Sequence, residues 1–194
     1  EHPRLQVLTR ACLYSVLNQG CDVLVLVHDQ CSEDRLIQEL QREFPEPQVT
    51  FIHEDERGVS RAWNRLCNVA FPQYGYIVLL NNDVELLPGS LKALVEFEVE
   101  HKGQLLYADT YGFSAFLLPR DVYRQVGPFD EWYKFSIEDW DYVRRLENSG
   151  VPFVRCPGFK VRHEERSIRK YVKDDWEELD RVGEAHFWQV YPKR

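Results

Sequence analysis

Helix-like and strand-like hydrophobic patterns alternate through the first hundred residues, and this alternation constrains the fold more than any other feature. Leu5, Leu8, Cys12 and Val16 share one helical face, with Gly20 as the stop. Asp22 to His28 is rich in Val and Leu without alternation, the pattern of a strand buried on both faces. Ser32 is placed to cap a helix carrying Leu36, Ile37, Leu40 and Phe44, which Pro45 ends. A short strand is expected at Val49 to Ile52, a helix at Gly58 to Phe71, a buried strand at Tyr76 to Leu80 and a helix at Pro88 to His101. Helices between successive strands imply an α/β fold, a mainly parallel sheet with helices on both faces. The first helix needs a sheet beneath its apolar face, and the expected partner is a strand before residue 1.

The second half is mixed. Leu105 to Ala108 and Phe113 to Leu118 read as strands, and Arg120 to Val126 as a short helix closed by Gly127-Pro128. An aromatic loop occupies residues 128 to 137. Glu138 to Asn148 is helical, with Gly150 placed as its C-cap. Short strands are expected at Pro152 to Arg155 and Phe159 to Arg162, and a helix at Tyr171 to Val190. No repeat or flexible linker interrupts the chain, so residues 1 to 194 are expected to form one domain. Its regularly alternating half would end near residue 103, and the mixed half would run from about 104.

Composition narrows the function. The net charge of −8 argues against a nucleic-acid partner, which calls for a basic face. No apolar run approaches the roughly 20 residues that span a bilayer, and no signal peptide is visible. The five cysteines, Cys12, Cys21, Cys31, Cys67 and Cys156, match no zinc spacing and read as free thiols of a reducing compartment. The expected location is the cytoplasm or a cytoplasmic membrane face. The sequence has no Met and starts at Glu1, so the natural first residues are expected to be absent.

Several polar groups fall at strand or helix ends. The apolar run Tyr76 to Leu80 stops at Asn81, Asn82 and Asp83, and a buried strand ending in a carboxylate is how an α/β sheet presents a ligand. Asp83 therefore sits where a metal–phosphate group would be held, which points to a nucleotide-linked substrate. Asp29, after another buried strand, could accept a hydrogen bond from a base or sugar; it could equally form the turn before Ser32. Arg61 and Asn64 share a helix face and could touch a diphosphate and a ribose, or simply face solvent. Glu138, Asp139 and Asp141 crowd one helix start. Dipole complementation explains one or two of them, and a third suggests a general base. Trp132, Tyr133, Phe135 and Trp140 surround this motif and could stack on an acceptor sugar or cover the core. His163 ends a short strand and gains weight only if the fold brings it near Asp83.

In order, SVLNQG, VLVLVHD, GVSRAWN, YIVLLNNDVELLPGSL, GFSAFLLPRDVYRQVGPFDE, IEDWDYVRRL and KVRHE resemble the motifs of a family 2 glycosyltransferase of the GT-A fold. The resemblance covers most of the chain, and its flavour is that of bacterial and viral rhamnosyltransferase-like members. It implies that Asp29 recognises the nucleobase and that Asn82 lies near the ribose or diphosphate. Asp83 would bind the metal with His163. Ser114 and Ala115 would line the sugar pocket, Glu138 would contact donor or acceptor sugar, and Asp139 would be the catalytic base. Two departures stand out: the family's opening strand is missing, and the metal motif carries Asn where many members carry Asp.

The implied reaction is inverting transfer of a hexosyl or deoxyhexosyl group from a UDP-, dTDP- or GDP-linked donor to a glycan, lipid-linked or protein-linked hydroxyl. The oxygen ligands and one imidazole suit Mn²⁺ or Mg²⁺. Two other readings compete: a sugar nucleotidyltransferase, and a binding module for sugar nucleotides or glycans that has lost catalysis.

Overall fold

The computed structural model describes residues 3–108, 112–164, 169–170 and 175–192. The elements run α1 (Pro3–Leu17), β1 (Val25–Gln30), α2 (Asp34–Glu43), β2 (Val49–Glu54), α3 (Val59–Ala70), β3 (Tyr76–Leu80), β4 (Val84–Leu86) and α4 (Ser90–Glu100). They continue β5 (Leu105–Tyr107), β6 (Ala115–Pro119), α5 (Arg120–Val126), α6 (Glu138–Asn148), β7 (Phe153–Arg155), β8 (Val161–His163) and α7 (Trp176–Val190). The architecture is α/β, as the sequence pattern implies. β1 and β2 pair in parallel, with Val25 opposite Val49 and Asp29 opposite His53. A second sheet has the order β3-β6-β5-β7, in which β5 and β7 are parallel and β6 runs against both its neighbours. β4 pairs antiparallel with β8.

Burial explains why these elements assemble. Trp63 of α3, Phe113, Phe116 of β6, Phe129 and Tyr142 of α6 join in one aromatic core, with Trp63 and Phe129 ring centroids 4.9 Å apart and Phe129 stacked on Tyr142 at 4.0 Å. A second cluster joins Val84, Leu86, Leu94, Leu106, Leu117 and Phe159. A third closes α1 over α2 and β2 through Leu13, Leu36, Leu40, Phe44 and Val49. Loss of any one of the large buried rings costs about 3–5 kcal/mol by the usual cavity argument.

Several boundaries fall as the sequence implies. β3, α5 and α6 coincide with the expected spans. Gly150 follows α6 at φ 66°, the Val151 N–H donates to Leu146 O, and the Gly150 N–H donates to Glu147 O, which together form a Schellman turn. Other expectations need correction. The sheet beneath α1 is supplied from within the chain by β4, through Val16 packed with Val84 and Leu86. β1 is half-buried along its whole length rather than sealed on both faces, because among the described residues it is paired on the β2 side only. Ser32 is not a cap: α2 starts after Glu33, with no side-chain cap bond. The last short strand lies at Val161–His163, which leaves Phe159 in the core. Of the long final helix, Tyr171 to Asp174 lie outside the described residues; α7 is capped by Asp175, whose carboxylate accepts from the Glu178 N–H at 3.1 Å.

Candidate active site

The turn after β3 is held from three sides. Asn81 N–H donates to Ser114 O at 2.9 Å, Asn82 Nδ2 donates to Thr9 Oγ1 at 3.0 Å, and the Glu164 N–H donates to Asp83 O at 3.1 Å. Ser15 of α1 accepts from the Leu86 N–H at 2.9 Å, so α1 lies directly over the turn and β4. Cys12 faces the same turn. Burial, then the charges of Asp83 and Glu85, push its thiol up to about 12, so it stays protonated. Pairing of β4 with β8 puts Val84 opposite His163. That register brings His163 Nε2 to 3.3 Å from Asp83 Oδ1, with both side chains largely buried.

This pair fits a divalent cation. Two ligands of one ion at about 2.1 Å and right angles lie about 3 Å apart, close to the observed separation. A carboxylate oxygen with an imidazole nitrogen is a donor set that suits Mn²⁺. Among the described residues no third His, Cys, Asp or Glu joins them. Mg²⁺-type sites commonly hold the ion through one or two protein ligands and complete the shell with water and substrate phosphate.

The acidic motif sits at the start of α6. Ile137 immediately before it has φ 71°, a left-handed backbone that a β-branched residue rarely adopts. The turn is clamped by α7: Ser136 Oγ donates to Asp180, and Arg169 binds Asp180 through two bonds of 2.6 and 2.7 Å. Glu138 keeps some exposure overall, yet its Oε2 is sealed from solvent with no hydrogen-bond partner among the described residues. Burial, then the Asp139 charge, raises its carboxyl to about 8, so Glu138 is neutral at pH 7. Burial also raises Asp139, while the Trp140 N–H donates to its Oδ1 at 2.9 Å and favours the anion. The two adjacent carboxyls thus sit in different environments, the kind of arrangement that separates acid from base roles.

Asp139 opens into a cleft of about 230 Å³ with Phe113, Trp140, Phe153, Phe187 and Trp188 on its walls. The segment from Gly112 to Ser114 connects the two halves of the site. Gly112 and Phe113 line the Asp139 cleft, while Ser114 O holds Asn81 of the Asp83 turn.

The other expected residues divide. Asp29 is held by His53, whose Nδ1 donates to its Oδ2 at 2.6 Å. This hydrogen bond raises the His53 pKa. Arg61 is shared among Glu54 at 3.4 Å, Glu56 at 2.8 Å and Glu131 at 3.6 Å. Asn64 does not face a ligand. Its amide donates to Phe129 O and Glu131 and accepts from the Phe129 N–H and Tyr123 Oη, so all its capacity is spent fixing the 129–131 loop. Tyr133 is 1% exposed and cannot stack on an acceptor. Burial raises its hydroxyl, which has no hydrogen-bond partner among the described residues. Ala115 is fully buried in β6, and Ser114 Oγ is sealed from solvent. Trp132 is half-exposed but stacks on His186 at 3.8 Å. Trp140 is 45% exposed at the cleft mouth.

Sequence reasoning passed over Thr9, His53, Asp180, Phe187 and Trp188. Only His53 left a usable signal, as the residue opposite Asp29 once the β1–β2 register is known. All five cysteines are free, and no helix among the described residues is long and apolar enough to cross a membrane.

Solved structures share this fold. The chain is similar to the crystal structure of GalNAc-T7 with UDP, GalNAc and Mn²⁺, with a TM-score of 0.68 and 12% identity over 78% of this chain and 40% of that one. It is similar to S. aureus TarS, with a TM-score of 0.68 and 14% identity over 95% of this chain and 38% of that one. It also resembles S. aureus TarS 1-349 in complex with UDP-GlcNAc, with a TM-score of 0.61 and 14% identity over 93% of this chain and 62% of that one. The chain therefore spans about two fifths of GalNAc-T7 and of TarS. No curated protein matches it significantly. The family model of Glycosyl transferase family 2 matches residues 6–165, a span that holds the Asp83–His163 pair and the acidic turn together, and the chain belongs to that family.

Proposed function

We propose that the protein transfers a sugar, with inversion, from a nucleoside diphosphate-sugar to an acceptor hydroxyl. Family membership supports a glycosyltransferase, and the observation that carries the reading is the Asp83–His163 contact at 3.3 Å, made by residues distant in sequence. Crystals of the related GalNAc-T7 with UDP and Mn²⁺ support a nucleotide donor and a divalent ion. The donor sugar would be a hexose or deoxyhexose, as in rhamnosyltransferase-like members.

Asp83 and His163 would hold the cation. When bound, it neutralises the negative charge that grows on the departing diphosphate. Asn82, fixed to Thr9, orients the donor beside it, and Asp29 with His53 receives the base. Asp139 accepts the proton of the attacking hydroxyl. The acceptor hydroxyl oxygen forms the new bond to the anomeric carbon as the carbon–oxygen bond to the nucleoside diphosphate breaks, through an oxocarbenium-like transition state. A raised carboxylate pKa makes Asp139 a stronger base than a free Asp. Glu138, held neutral beside it, does not compete as a base. A base of this kind is worth about 10²- to 10⁴-fold.

The test is Mn²⁺-dependent turnover across UDP-, dTDP- and GDP-sugars, followed by Asp139→Asn. The expected result is donor-specific turnover that falls by at least about 10²-fold in the variant while nucleotide binding persists. Full activity in a folded Asp139→Asn protein would exclude the assignment.

A further inference from the structure

We infer that the Asp139 cleft is a subsite for one sugar ring of the acceptor, with Trp188 of α7 and Trp140 of α6 as its aromatic platform. Trp140 lies within the family match, whereas Trp188 lies beyond residue 165, where that match ends, so the C-terminal helix supplies half of the platform. The inference rests on Asp139 meeting the acceptor hydroxyl.

The cleft combines two chemistries. Its floor is apolar: Phe113 stacks on Phe153 at 5.2 Å, and Phe187 is 4% exposed. Phe187 holds both indoles edge-on, with Trp140 at 5.8 Å and 79° and Trp188 at 5.1 Å and 80°. Charged groups complete the lining: Asp139, and the Arg144–Glu147 pair at 3.2 Å, whose side chains are 42% and 59% exposed. A pyranose presents an apolar C–H face and a rim of hydroxyls. The indoles would cover the first, and the carboxylates and guanidinium would take hydrogen bonds from and to the second.

An acyl chain fits worse, because it would take water from the Asp139 carboxylate and the Arg144–Glu147 pair and offer no hydrogen bonds in return. Size limits the occupant further. At about 230 Å³ the cleft is below the roughly 300–1,000 Å³ of pockets for drug-sized ligands, so it suits one ring rather than an oligosaccharide.

The probes are methyl β-D-glucopyranoside, methyl β-D-galactopyranoside, methyl N-acetyl-β-D-glucosaminide and methyl α-L-rhamnopyranoside. Binding is read by saturation-transfer NMR on the intact chain. The expected result is saturable transfer to the C–H protons of at least one glycoside. Its affinity should weaken at least about fivefold in Trp188→Ala and recover in Trp188→Phe, with UDP–Mn²⁺ binding unaltered. If Trp188→Ala fails to fold, Trp140→Ala replaces it with the same expectation. No transfer to any of the four glycosides, or equal affinity in the folded alanine variants, overturns the proposal. An active Asp139→Asn would instead remove the transferase reading and leave the glycoside titration standing.

Discussion

Gly183 of α7 lies against Ile137, so close that a Cβ at position 183 would sit 3.1 Å from Ile137 Cγ1 and 3.5 Å from Ser136 O. Helix α7 therefore braces the strained turn that delivers Glu138 and Asp139. Gly183→Val forces branched carbons into that contact. It should cost about 1–3 kcal/mol of stability, seen as a lower midpoint in thermal denaturation, and should lower turnover as Asp139 shifts. Unchanged stability and turnover would show that the brace is loose.

Asn64 offers a contrast between structural and ligand-facing polar groups. Asn64→Ala leaves the buried N–H and C=O of Phe129 without their partner and the more exposed Tyr123 and Glu131 each one hydrogen bond short, and should cost about 2–4 kcal/mol in urea unfolding. UDP affinity of the remaining folded protein should be unchanged. A selective loss of UDP affinity would return Asn64 to the donor site.

Glu138 makes stability depend on pH. Its folded-state carboxyl ionises near 8 against an ordinary 4.5, so the folded protein holds a proton that the unfolded chain has released. Stability from this group is full below about pH 4.5 and declines as pH rises to about 8. Glu138→Gln should melt like the parent at pH 4.5 and higher than the parent at pH 8.5, by on the order of a few kcal/mol. Parallel melting profiles would place the charge elsewhere.

His53 and Asp29 form a titrating pair at the candidate base site. The hydrogen bond to Asp29 raises His53 above the ordinary 6.5, so the contribution of the pair is fully present below that pH and fades as pH rises through the folded-state value. NMR titration of His53 should show the raised value, and Asp29→Asn should return it towards 6.5. An identical titration in the variant would mean the contact is not maintained in solution.

Much of the fold is legible in the sequence because long elements carry their own period. Tyr76–Leu80, Arg120–Val126 and Glu138–Asn148 are bounded by turn residues and show clear apolar patterns. β4 escapes because three residues are too few to show alternation, and its apolar neighbours merge with the approach to α4. Its pairing with β8 is nonlocal, and that pairing creates the Asp83–His163 contact. Asp83, His163 and Asp139 stand out as polar groups at element ends. The burial of Asn64 and Tyr133 is not legible for the opposite reason: a polar or aromatic side chain looks the same in sequence whether it faces a ligand or a loop. Whether Trp132 or Trp188 walls the cleft depends on how α7 packs, and that depends on Gly183 and Asp180, far along the chain.

The most direct test of the central claim is isothermal titration of Mn²⁺ into the UDP-saturated protein, comparing the parent with Asp83→Ala and His163→Ala. The account expects one Mn²⁺ site in the parent, with affinity reduced at least about tenfold in each variant. Mn²⁺ binding of equal strength in all three proteins would contradict it.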